Sequence, residues 1–156
     1  MRTVLYLSLV LISTVTTSHA ESLCQSGEHV SFSCGFNTKS VSVCRNGDDN
    51  LVYRFGTESN IELELISEVH YSRTAYSGGG EGHLTFDNGD YRYVVYSAIS
   101  NGEVQQDGTR DKDIRAGIYV LKGSQLLTDI QCQGYSGKSF IHDLPAYQEK
   151  PFEFYN

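Results

Sequence analysis

Residues 82–99, "GHLTFDNGDYRYVVYSAI", decide the fold. Leu84 and Phe86 alternate with Thr85 and Asp87, and beyond Asn88-Gly89 the aromatics Tyr91 and Tyr93 alternate with Arg92 and Val94. A two-residue period sends successive side chains to opposite faces of a strand, whereas a helix would scatter the same residues around its circumference. Asn-Gly between two such runs signals a hairpin, because a type I′ turn needs positive φ at both central positions. A turn centred on that pair sets Phe86 opposite Tyr91 and Leu84 opposite Tyr93, one apolar face. Thr85 opposite Arg92 and His83 opposite Val94 form the other.

The same period recurs on both sides of this hairpin. His29 to Cys34 and Ser40 to Cys44 read as a hairpin around "GFNTK", followed by a strand from Leu51 to Phe55. "NIELELI" alternates strictly, with Ile61, Leu63 and Leu65 on one face and Glu62 and Glu64 on the other. Val69 to Arg73 is a further short strand. Downstream, "SNGEVQQDGTRDKD" is a polar loop, and "IRAGIYVLKG" with "SQLLTDIQC" makes a last hairpin across Lys122-Gly123-Ser124. The expected fold is all-β: a single small antiparallel barrel or sandwich of about eight strands. After Cys132 the chain holds both prolines, and Asp143-Leu144-Pro145 is placed to begin one helical turn.

The chain divides into residues 1–20, a cleaved leader; 21–135, a β-domain; and 136–156, a tail packing its aromatics on that domain. Arg2, the apolar run Val4 to Ile12 and the small residues before Glu21 have the pattern of a signal peptide cleaved after Ala20. No other stretch approaches the ~20 apolar residues of a membrane span, and Leu23 precedes Cys24 where a lipid anchor needs a small residue. The expected location is periplasmic or secreted. Four cysteines in such a compartment read as two disulfides. Three pairings exist, and strand parity selects one. Cys34 shares the apolar face of Phe32, and Cys132 that of Leu126 and Ile130, whereas Cys44 lies opposite Val41 and Val43. Cys34 therefore pairs with Cys132 inside, and Cys24 with Cys44 outside.

The net charge of −7 argues against nucleic acid, which attracts a basic face. No cofactor or metal motif is present: the cysteines lack CxxC spacing, no HExxH or nucleophile elbow occurs, and the acid-rich loops lack full calcium-loop spacing. The glycines at 78–80 lead into a strand, not a helix, and no P-loop lysine follows them. Side-chain-poor backbone can instead enter a partner's cleft, and Tyr71, Arg73, Tyr76, Ser77 and His83 surround it with hot-spot chemistry.

The start "C…FSC…K..SVC", the "YRFG" and the hairpin "SGGG…F.NG.Y.Y.VY" together resemble a set of secreted bacterial β-domains. More distantly, the chain is similar to the periplasmic lysozyme inhibitors, β-barrel-like proteins that insert an SGxxY loop into the lysozyme cleft. That resemblance implies a partner protein, a cationic lysozyme, and a binding site at Tyr76, Ser77, Gly78, Gly79 and Gly80. It also implies Lys122-Gly123 as the second loop's "KG", with Tyr119 as the tyrosine upstream. Position 81 is glutamate where the SGxxY motif has tyrosine. The rival expectations are a small secreted hydrolase or nuclease using His70 and His83 with Lys122, and an envelope module that self-associates through edge strands.

Overall fold

The computed structural model describes residues 22–133, 139–147 and 149–155. The expected leader at 1–20 lies outside them. Nine strands occupy the described residues: β1 His29–Phe36, β2 Lys39–Arg45, β3 Leu51–Thr57, β4 Asn60–Leu65, β5 Val69–Tyr76, β6 Gly79–Asn88, β7 Tyr91–Val104, β8 Arg110–Lys122 and β9 Gln125–Gln131. They form two antiparallel meanders, β1-β2-β3-β4 and β5-β6-β7-β8-β9, and no closed barrel. No helix among the described residues is long and apolar enough to cross a membrane. Asp143 adopts a left-handed φ of 53°, so residues 143–145 turn the chain and start no helix.

The central hairpin keeps the predicted faces and shifts the predicted register by two residues. Asn88 pairs with Tyr91, Phe86 with Tyr93 and Leu84 with Val95. Only Gly89 has positive φ there, at 60°, which is the requirement of a type II′ turn with glycine first. "NGD" contains two overlapping hairpin signals, and Gly89-Asp90 prevails over Asn88-Gly89. A two-residue slip leaves every side chain on its original face, so Tyr91 moves to the exposed end and Tyr93 takes the inner place.

The two sheets face each other over Phe32, Val41, Val43, Tyr53, Leu84, Phe86, Val95 and Ile118, all at most 2% exposed. Tyr53 of β3 packs on Phe86 of β6 and Tyr93 of β7, at 5.4 and 5.6 Å between ring centres. Two residues along, Phe55 reaches the space lined by Ile130 of β9. One strand of the first sheet thus spans several of the second. Cys34–Cys132 joins the sheets on the inner side and Cys24–Cys44 lies on the outer side, as parity requires.

Each outer face is roofed by an irregular segment. Over the first sheet, Leu23 donates its N–H to Ser42 Oγ at 2.9 Å, and Arg54, 3% exposed, donates to Glu28 and to Glu64. Glu64 therefore has a buried partner, while Glu62 meets Lys39 at 2.7 Å. Ile61 is exposed, because β4 is an edge strand whose first residues run past the core. The tail follows the β1 edge, where Ser139 Oγ donates to Ser33 O and His142 N to Ser31 O. It then meets the β5 edge, where Lys150 N donates to Tyr71 O at 2.8 Å. Phe152 and Tyr155 come to rest on the outer face of the second sheet. Backbone groups on two sheet edges are thereby satisfied that would otherwise invite pairing with another chain.

Candidate binding site

The β7–β8 hairpin runs past its neighbours at one end of the second sheet. Gly80 at the start of β6 pairs with Ile99, yet β7 continues to Val104, which pairs with Arg110. Gly79 and Gly78 flank Ser100 and Asn101, so three further residues at ~3.3 Å each carry the hairpin about 10 Å beyond that flank. Its tip is a made turn: Gln105 N donates to Thr109 O at 2.8 Å, and Asp107 Oδ1 accepts from Thr109 N and Oγ1. Those bonds hold the Asp107 carboxyl below its usual pKa. Val104 is 56% exposed, and Arg110 has no ion pair among the described residues.

The glycine run lies at the base of this hairpin. Tyr76 pairs with Gly79, so Ser77-Gly78 is a two-residue turn, with Gly78 at φ 81°. Gly79 and Gly80 belong to β6. A methyl on Gly79 would strike the carbonyl of Ile99, and one on Gly80 would meet Thr74 O. These glycines are required by close strand contact. Lys112 Nζ donates to Gly78 O at 2.6 Å and to Asn101 Oδ1 at 2.9 Å, tying the short turn to the long hairpin. On the inner side, Gly80 and Gly82 floor a 310 Å³ cleft walled by Arg73, Ser97 and Ile141.

No family model, curated protein or solved structure matches this chain.

Of the residues singled out from the sequence, Tyr76, Ser77, Gly78, Gly79 and Gly80 come together. Tyr76 donates its hydroxyl to Gly80 O at 3.1 Å, and burial raises its pKa. Lys122 does not join them. It pairs with Tyr91 and lies 5.5 Å above that ring, at the opposite end of the sheet, about 26 Å away at ~3.3 Å per strand residue. Tyr119 sits mid-sheet on the outer face, stacked on Tyr96 with ring centres 4.3 Å apart. The cation at the glycine turn is Lys112. Lys112, Val104 and Arg110 were hidden inside a polar stretch that shows no alternation; "QDGT", a turn signal, is the trace of the hairpin there.

The histidines divide sharply. His83 is 1% exposed, with Nε2 2.8 Å from Glu81 Oε1 and Nδ1 unpartnered. Phe152 and Tyr155 of the tail cover it at 4.3 and 5.5 Å, so no substrate reaches it while the tail is seated. His70 lies 3.4 Å from Asp87 in a 330 Å³ cleft shared with Ser72, Arg92 and Tyr155. Lys122 reaches neither histidine. The cluster Cys24, Glu28 and Cys44 offers no metal ligands, because its sulfurs are joined and its carboxylate is held by Arg54.

Proposed function

We propose that this chain is an exported, non-enzymatic binding domain that puts its β7–β8 hairpin into a cleft of a partner protein. The most concrete form of that reading is lysozyme inhibition. The observation that carries it is the overhang of residues 102–110 beyond its neighbours, with an exposed apolar side chain, Val104, paired across from an uncommitted guanidinium, Arg110. Arginine is among the residues enriched at interface hot spots, and Val104 adds apolar area beside it. Arg110 suits a carboxylate-lined cleft, since its fork accommodates two carboxylate oxygens. The chain's net charge of −7 favours encounter with a partner that is cationic overall. The Ser77-Gly78 turn, tied by Lys112, braces the root of the hairpin and presents backbone to the partner's rim.

Cell-wall lysis by a panel of cationic lysozymes, with and without the mature domain, tests this. Inhibition is expected, with Val104→Asp and Arg110→Ala each weakening it at least tenfold while leaving the thermal midpoint unchanged. Absence of inhibition at micromolar excess for every enzyme in the panel sinks the lysozyme form. A second reading is favoured by one observation, the His70–Asp87 pair in a cleft with Ser72 and Arg92. It expects a hydrolytic turnover that His70→Ala abolishes.

A further inference from the structure

Away from the binding hairpin, the two sheets leave a gap. Between β3 and β4 on one side and β7, β8 and β9 on the other lies an open cavity of 380 Å³, lined by Tyr53, Phe55, Tyr93, Val120, Ile130 and Glu62 among others. Phe55, Tyr93, Val120 and Ile130 pack against the main core yet stay only partly buried. Protein interiors otherwise close to crystal-like density, and an apolar cavity of roughly 150 Å³ already accepts benzene. This space is more than twice that.

Its mouth has a defined chemistry. The charged residue in the lining is Glu62. The ammonium of Lys39 stands 2.7 Å from the Glu62 carboxylate and 5.1 Å above the Phe55 ring. A cation between a carboxylate and an aromatic face is held by Coulomb attraction and by the ring quadrupole together. Lys39 is a flexible, solvent-facing chain, 41% exposed, and can withdraw to water at little cost. We infer that the cavity is a binding site for a small amphipathic amine, its alkyl or aromatic body among Tyr53, Phe55, Tyr93, Val120 and Ile130, its cationic end on Glu62 in the place Lys39 now fills. The site lies at the Tyr93–Val120 level, towards the opposite end of the sheet from Val104 and Arg110, and is independent of the hairpin's role.

Titration calorimetry of the mature domain with decyltrimethylammonium, decanoate and decanol, all below micellar concentration, tests the site. The cation is expected to bind at least tenfold more tightly than decanoate, with decanol between them. Glu62→Gln is expected to erase that preference, and Lys39→Ala to tighten cation binding by removing the competing ammonium. Ile130→Phe, which fills the cavity, is expected to abolish binding of all three probes. The inference is overturned if none of the probes binds at millimolar concentration, or if decanoate binds as tightly as the cation. Undiminished binding by a folded Ile130→Phe variant also overturns it.

Discussion

At the scale of single residues, two glycines of one strand pair illustrate how differently the same substitution acts. Gly89 has φ of 60° with open space around it, so alanine there meets only backbone strain, about 1 kcal/mol. Gly79 has ordinary φ, but its missing methyl is the clearance for Ile99 O. Gly79→Ala is expected to cost about 3 kcal/mol or more, since β6 and β7 must separate to admit it. Chemical denaturation of the two variants side by side measures the contrast. Arg54 supplies a third case. Its hydrogen bond to Glu28 holds that carboxyl below the ordinary glutamate range, against the upward push of burial. A depressed carboxylate contributes stability above its unfolded pKa and loses it as pH falls through the folded one. Glu28→Gln is therefore expected to narrow the stability difference between pH 6 and pH 3. Arg54→Leu, which strands a carboxylate, is expected to cost about 3 kcal/mol at neutral pH.

Elements were legible where alternation and turn chemistry coincide. The strands around Phe32, Tyr53, Leu63 and Phe86 follow from period two, and Cys34 and Cys132 declare their pairing by sharing an apolar face. Residues 100–113 gave no such sign. Their strand pairing rests on backbone hydrogen bonds between β7 and β8, with solvent on both faces, so polar side chains carry no pattern to read. The end-to-end separation of Lys122 from Ser77 was hidden for another reason: which turns share an end of a sheet depends on strand order, a long-range property. The disulfides act on elements too. Cys34–Cys132 spans a sequence separation of 98 and Cys24–Cys44 one of 20. On the chain-entropy model the first contributes about 5 kcal/mol and the second about 3. Paired alanine variants, unfolded in urea, are expected to rank in that order; equal losses would point to native-state effects instead.

For the molecule as a whole, the outer face of the second sheet is a buried, largely aromatic layer finished by the tail. Burial, seconded by Glu81 and Glu153 respectively, pushes Tyr119 and Tyr155 each up to about 12, and burial raises Tyr96 as well. Raised phenols favour the protonated fold, so this contribution is complete below the unfolded value near 10 and fades as pH climbs from 10 through 12. Absorbance at 295 nm is expected to show phenol ionisation beginning near the free value of about 10. A second group should follow together with loss of the fold. Phe152→Ala, which thins the cover over His83, is expected to cost about 1 kcal/mol and to draw the two phases closer. A single smooth titration in the unaltered protein would contradict the buried layer.

The aromatic cover at residues 149–155 is encoded downstream of all nine strands. During synthesis, then, a nascent chain can complete both meanders and still present His83, Tyr119 and Leu121 uncovered to whatever escorts it. Products clipped upstream of Glu149 would keep that adhesive wall permanently, and retention by chaperones is their expected fate.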